Sequence, residues 1–297
     1  MRKFVIVTDS CSDLSQKYRD KYDIDYIPMF LVYDDKVINA SLDWEDIPVK
    51  DFYDMMRKGT KFKTAQITPD HYRARFEQYV KDGYDVLSIS CSSALSSSYS
   101  GSTLVAKELM EKYPEAKIVC IDSRNSCWAL GFMCITASEM RAQGKTIEEV
   151  AEFIETNKQK YNQIATVEDL TYLKRAGRVS TMSAFFGGLL QVKPIIISDV
   201  KGQNLATEKV KGRKTSVARL VEIFKDVYEK SDLNRISIVH ADCIEDCDEL
   251  VKMIKDSVDL DGVEIIVEYL GPIIGASTGP GTMSIYCYGK EVTVNPD

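Results

Sequence analysis

Short apolar runs alternate with amphipathic stretches along the first half of the chain. Residues 4–8, 85–90 and 117–121 are strand-length runs, each followed by a polar turn and a segment of helical period. Strand followed by helix, repeated, predicts a parallel sheet. Behind the second run, Tyr99, Thr103, Ala106, Leu109, Met110 and Tyr113 recur at helical spacing until Pro114 stops the helix. A later helix opens at Thr146, where Glu149 completes a capping box and Val150, Phe153 and Ile154 turn inward. Around residues 161–164 the pattern changes, and the domain boundary is placed there. The expected division is an N-terminal α/β domain over 1–162 and a C-terminal α/β domain over 163–297. In the second half, residues 193–197, a turn at 201–204 and residues 207–211 read as paired strands ahead of a helix over 216–230. Runs at 235–240, 263–270 and 283–288, with a helix reaching 258, complete a mixed or antiparallel sheet.

The turn after the second apolar run carries the most informative chemistry. Ser92, Ser93, Ser96, Ser97, Ser98 and Ser100 fall within nine positions, and a helix is expected to begin at about Ser97. Free backbone N–H groups and the positive end of the helix dipole converge there, and the hydroxyls add rotatable donors. Such a site holds a carboxylate or phosphate without a lysine. Serines also cap helices and fill turns for local backbone reasons, which accounts for one or two of them but not readily for six. Asp9-Ser10 and Asp122-Ser123 end two of the early strands. In an open α/β sheet the carboxyl ends of strands line the ligand crevice, so these pairs are further candidates.

Composition narrows the field. At 297 residues, 44% hydrophobic and 28% charged, the chain has the length and balance of two globular domains. No predominantly apolar stretch reaches the ~20 residues that cross a bilayer. The opening Met1-Arg2-Lys3 followed by Phe4 to Val7 is too short for the apolar core of a signal peptide, so a cytoplasmic location is expected. A net charge of −7 argues against general nucleic-acid binding. Basic residues of the second half gather between 174 and 219, with Arg175, Arg178 and Arg213 beside glycines at loop-like positions. Of the eight cysteines, Cys91, Cys120, Cys127, Cys134 and Cys287 sit at apolar positions, as buried free thiols do. Cys243 and Cys247 share a helical face, but with His240 as the only nearby imidazole they make a poor metal site, and no metal is expected.

Catalytic constellations find little support. The letters Gly275-Ala276-Ser277-Thr278-Gly279 have the spacing of a Gly-x-Ser-x-Gly elbow, but the two histidines, His71, just inside a helix start, and His240, at the end of a strand, give it no evident base. Neither a phosphate-binding Gly-x-x-x-x-Gly-Lys-Ser/Thr loop nor a Gly-x-Gly-x-x-Gly turn occurs. The glycine-rich segment 271–281 is too apolar for a phosphate cradle and reads equally well as an inter-strand turn or as backbone that approaches a ligand.

The ordered set of motifs resembles the DegV family of bacterial fatty-acid-binding proteins. The resemblance runs through Val7-Thr8-Asp9-Ser10-Cys11-Ser12-Asp13-Leu14, Thr64-Ala65-Gln66-Ile67-Thr68-Pro69 and Ser92-Ser93-Ala94-Leu95-Ser96. It continues through Leu173-Lys174-Arg175-Ala176-Gly177-Arg178-Val179-Ser180, Leu190-Gln191-Val192-Lys193-Pro194, the basic stretch 209–214 and Gly279-Pro280-Gly281. The resemblance implies a two-domain α/β carrier without catalytic residues and with no cofactor beyond a long-chain, palmitate-like fatty acid. Thr64 and Ser96 would hold the carboxylate, with Ser93 in support. Arg175, Arg178 and Arg213 would meet a partner such as the catalytic subunit of a fatty acid kinase, and transient membrane contact would serve lipid transport. Met182, Ala184, Phe185, Phe186, Leu189, Leu190, Ile273 and Ile274 are the expected tail-lining residues.

The chain departs from the family pattern at several of these positions. Ser277 stands where kinase-linked members often carry histidine, Ser97-Ser98 replaces Gly-Thr, Ala65 replaces serine and Lys211 replaces arginine. Ser277 therefore joins Thr64, Ser96 and Ser93 as a candidate head-group residue. The rival expectations are a serine-dependent acyl hydrolase or transferase, and a regulatory protein in which lipid is structural.

Overall fold

The computed structural model describes residues 2–181 and 191–295. Strands β1 (Phe4–Asp9), β2 (Ile24–Ile27), β6 (Asp85–Ser90) and β7 (Ile118–Asp122) form a four-stranded parallel sheet in the order β2-β1-β6-β7. Chain order reverses between β1 and β6, and the crevice outside the carboxyl ends of two such strands is where an open α/β sheet binds ligands. Between β2 and β6 the chain inserts elements that the apolar pattern does not announce. They are β3 (Phe30–Tyr33), β4 (Lys36–Asn39) and β5 (Lys63–Ala65), a small antiparallel sheet in the order β4-β3-β5, with helix α2 (Val49–Arg57) before β5.

The second sheet has seven strands in the order β13-β12-β14-β8-β10-β11-β9 and is mixed. β12 (Arg235–His240) pairs parallel with β13 (Glu264–Tyr269), and β11 (Asn204–Lys211) pairs parallel with β9 (Val179–Ser180). The inner pairs among β8 (Tyr161–Thr166), β10 (Val192–Ser198), β11, β12 and β14 (Met283–Tyr288) are antiparallel. The protein is thus α/β, with a parallel sheet and a mixed sheet, as the pattern of apolar runs predicts. Two differences are local. The basic helix α8 spans Arg213–Val227, so Arg213 opens a helix instead of sitting on a loop. The glycine-rich segment folds into a short helix, α10 (Pro272–Thr278), whose Gly271 and Gly275 lie against Asp13 and Tyr53.

Helix α5 (Cys127–Ala142) joins the two sheets. Every residue from Cys127 to Ser138 is buried, as expected of a helix that is apolar on all sides. It packs on β1, β2 and β6 on one side and on β8 and β14 on the other. The largest core cluster accordingly mixes residues of the first sheet with Val239, Ala241, Leu270, Ile273 and Tyr286. The second cluster lies between the mixed sheet, α8 and α9 (Ile244–Ser257).

Candidate functional site

The carboxyl ends of β1 and β6 are tied by one buried side chain. Asp9 ends β1 and accepts the Cys11 N–H on one oxygen and the Cys91 N–H on the other, each at 2.8 Å. Burial pushes its carboxyl up to about 6 in spite of these two bonds. Asp122, at the end of β7, has the same role on the next strand but one. It accepts the Ser93 N–H at 3.0 Å, the Ser93 hydroxyl at 2.5 Å and the Arg124 N–H at 3.1 Å. Both acids that the sequence places at the crevice are therefore anchors that shape the loops.

Those loops carry the serine run into helix α4 (Ser98–Lys112). Ser96 lies one residue outside the half-turn residue Ser97. Its hydroxyl oxygen accepts the Ser98 N–H at 3.2 Å and sits 2.9 Å from the buried Ser98 hydroxyl. A further serine closes off the loop, because Ser92 donates to the Gly202 carbonyl at 2.8 Å. Gly202 has φ +80° at the tip of the β10–β11 turn, and a Cβ there would fall 2.3 Å from the Ser92 hydroxyl and 2.7 Å from the Arg124 Cα. The tip of a mixed-sheet hairpin thus docks directly on the serine loop, which only glycine permits.

Above these loops lies a cavity of about 610 Å³ between the two sheets, roofed by the small sheet and α10. Thr64, Ser93, Ser96 and Ser277 all line it, brought from β5, the serine loop and α10. Their hydroxyls are not equivalent. Ser93 gives its hydrogen to Asp122, and Ser277 donates back to the Ile273 carbonyl at 3.0 Å within its own helix, whereas Thr64 makes no side-chain hydrogen bond among the described residues. The rest of the wall is largely apolar, with Ala165, Val167, Leu173, Val179 and Ile196 facing Ile273 and Ile274. Of the tail-lining candidates, Ile273 and Ile274 are in the wall. Met182, Ala184, Phe185, Phe186, Leu189 and Leu190 lie outside the described residues.

The basic candidates separate. Arg178 is exposed yet lines the cavity, where it is the one charged side chain among the described residues. Arg175 is exposed on α7 (Leu170–Ala176) and lies over the Tyr172 ring, 5.4 Å from its centre. Arg213 is half-buried and bound to Asp246 at 2.8 Å, with Glu168 at 3.9 Å. It borders a different hollow of about 360 Å³, shared with Arg57, Asp242 and Cys243. Neither histidine reaches the large cavity. His71 bonds Thr68 at 2.7 Å at the start of α3 (Pro69–Lys81), and buried His240 packs on Tyr269.

Sequence reasoning missed several wall residues, among them Cys11, Met29, Gln66, Cys91, Gln163 and Asn204. Cys11 and Cys91 each follow a strand that the apolar pattern does locate, so the rule that ligands gather at strand carboxyl ends points to them. Gln163 and Asn204 lie on strands of the mixed sheet, and the strand order that brings them to the cavity is not written in either segment alone.

Comparison with known proteins agrees with this architecture. Residues 3–290 match the family described as uncharacterised protein, DegV family. A DegV domain-containing protein of Clostridium perfringens is 36% identical over 289 residues, which cover 97% of this chain and 98% of that protein. A fatty acid-binding protein of Thermotoga maritima is 30% identical over 294 residues, covering 98% of each. The crystal structure of a DegV lipid binding protein from Thermotoga maritima superposes with a TM-score of 0.84 at 28% identity, over 98% of this chain and 100% of that one. A family match across nearly the whole length, together with a fold shared over 98% of the chain, leaves one conclusion: the chain belongs to the DegV family.

Proposed function

We propose that this protein binds a long-chain fatty acid in the cavity of about 610 Å³ and presents its head group to a partner. The carrying observation is the make-up of the wall. Hydroxyls of Thr64 and Ser96 line the cavity near the start of α4, an apolar stretch continues from them, and no carboxylate, lysine or imidazole lines the cavity among the described residues. A volume of this size falls within the ~300–1,000 Å³ of small-molecule sites. Burying the methylenes of a C16 chain is worth ~0.8 kcal/mol each, roughly 11 kcal/mol before ordering costs, so the tail supplies most of the affinity. Charge-assisted bonds from Thr64, Ser96 and first-turn N–H groups of α4 then orient the carboxylate. A wall without a base gives Ser96 nothing to activate it, which favours a carrier over a serine hydrolase or transferase.

In this reading the two domains, 1–162 and 163–297, supply the head-group site and most of the acyl pocket respectively. Arg175 and Arg178 form the partner-facing surface, with Arg178 also reaching the cavity, and Ser277 takes the place of a head-group imidazole. The partner is a kinase subunit that phosphorylates the carboxylate, and the setting is the cytoplasm with brief membrane contact to load or release lipid. Among the described residues no helix is long and apolar enough to cross a membrane. Native mass spectrometry of the purified protein tests the reading. The expected result is a co-purifying long-chain fatty acid, exchangeable with added palmitate; a protein that is consistently bare and shows no saturable palmitate binding would overturn it.

A further inference from the structure

Three sulfur atoms cluster in the cavity wall, from Cys11, Met29 and Cys91. The cysteines stand just past the ends of β1 and β6, parallel neighbours whose register pairs Phe4 with Asp85 and Val7 with Ser88. The Asp9 carboxylate then ties the pair more closely, one oxygen on the Cys11 N–H and the other on the Cys91 N–H, each at 2.8 Å. Backbone nitrogens held by the two oxygens of one carboxylate are near neighbours, a precondition for linking the two residues. The side chains follow: the Cys11 thiol donates to the Met29 sulfur at 3.4 Å and stands close enough to the Cys91 thiol for each to shift the other's proton affinity. Met29 is itself fixed, its N–H donating to Ser10 at 2.9 Å.

We propose that Cys11 and Cys91 are a redox-active dithiol in the cavity wall, which a hydroperoxide entering the cavity converts to a disulfide and which a bound fatty acid shields. The shielding rests on the fatty-acid reading above; the dithiol does not. In the first step the thiolate of one cysteine, taken here as Cys91, attacks one peroxide oxygen and the O–O bond breaks. The departing hydroxide takes up the thiol proton and leaves as water, and Cys91 becomes a sulfenic acid. Cys11, deprotonating, then attacks the Cys91 sulfur, and the sulfenic hydroxyl leaves as a second water. Two thiols and one hydrogen peroxide give one disulfide and two waters, the sulfurs being oxidised and the peroxide oxygens reduced.

The environment sets how fast the pair reacts. The neighbouring Cys11 thiol pulls the Cys91 thiol down, while burial and the carboxylates Asp9 and Asp122 leave it above its ordinary value. The Cys11 thiol is pushed well up, first by its Cys91 neighbour and then by burial, Asp9 and Asp13. Both thiols are held above their ordinary range, so the thiolate is scarce at neutral pH and the oxidation rate rises with pH. An acyl chain filling the cavity covers both sulfurs and so slows their encounter with peroxide.

The test treats delipidated full-length protein with hydrogen peroxide, alkylates remaining thiols, and reads intact mass and linked peptides. The expected result is loss of two hydrogens per chain, a linked peptide pair containing Cys11 and Cys91, and an oxidation rate that climbs with pH. Cys11→Ser and Cys91→Ser should each abolish the link, and Cys134→Ser should leave it. Near-saturating palmitate that leaves about one chain in ten open should slow it about tenfold, because only open chains react. The proposal is overturned if both thiols remain alkylatable after peroxide, if the linked peptides join other cysteines, or if palmitate binds by calorimetry yet leaves the rate unchanged. If calorimetry shows no palmitate binding while the Cys11–Cys91 link forms, the fatty-acid reading fails and the dithiol stands.

Discussion

Replacing Asp13 by asparagine should make the protein more stable at pH 8 and leave it unchanged at pH 4. Asp13 is 4% exposed and holds a left-handed backbone at φ 52°. One carboxylate oxygen accepts the buried Cys127 thiol at 2.8 Å; the other faces Gly271 and has no well-formed hydrogen bond. Burial, opposed by the Cys127 bond and the Gly271 N–H and reinforced by the Asp9 charge, pushes the carboxyl up from 3.8 to about 7. The folded state thus holds the proton more tightly than the unfolded chain does. Its contribution is fully present below pH 3.8 and is lost progressively as pH rises through about 7. At ~1.4 kcal/mol per pH unit, the ionised form costs about 4 kcal/mol above that range. Asparagine tolerates the left-handed backbone, keeps an acceptor for Cys127 and cannot ionise. Urea denaturation of parent and variant between pH 4 and 8.5 reads the difference, from which all other titrating groups cancel. A gap that opens by about 3–4 kcal/mol toward alkaline pH is expected. A constant difference across the series would show that Asp13 is ionised throughout in the folded protein, and the reasoning from burial would fail.

Three further outcomes follow from the cavity. Thr64→Ala and Ser96→Ala should each weaken palmitate binding by about 1–3 kcal/mol in calorimetry with little change in melting, because each leaves a buried carboxylate oxygen short of a donor. Unchanged affinity in the double variant would place the head group elsewhere. Arg178→Glu should weaken palmitate binding, since the side chain lines the cavity, whereas Arg213→Glu should spare binding but lower the denaturation midpoint by setting a third acid beside Asp246 and Glu168. The opposite pattern in the two variants would reverse their assignment. Ser277→His should bring a pH dependence near the imidazole pKa to palmitate affinity or to acyl-phosphate formation with a kinase partner, and profiles identical to the parent would remove Ser277 from the head group.

The sheets were legible because their signal is local. Apolar runs at β1, β6, β7, β12 and β14 lie within a residue or two of their observed bounds, and the Thr146 capping box forms with both of its bonds. The small sheet was not legible for an equally physical reason. Its strands β3, β4 and β5 are three or four residues long, and β4 is mostly exposed, so neither length nor alternation separates them from loop. Helix α10 was hidden by composition. Gly271, Gly275 and Gly279 are read as turn residues, yet Gly271 and Gly275 are small because Asp13 and Tyr53 press on them.

Within the site, what sequence conveys is the inventory of hydroxyls, and what it withholds is which of them remain free to bind. Ser93 and Ser96 are three residues apart in one loop and look interchangeable as letters. Asp122, a residue from the neighbouring strand, claims the hydrogen of Ser93 at 2.5 Å, while Ser96 shares its oxygen with the start of α4 and keeps a place on the cavity wall. The same division falls on the acids. Asp9 and Asp122 sit where a crevice ligand would be sought, but each is satisfied by backbone N–H groups of the loops it fixes. A ligand carboxylate entering such a site meets no competing carboxylate, because the acids are already engaged behind the wall. That is the electrostatic condition for holding an anion without a lysine.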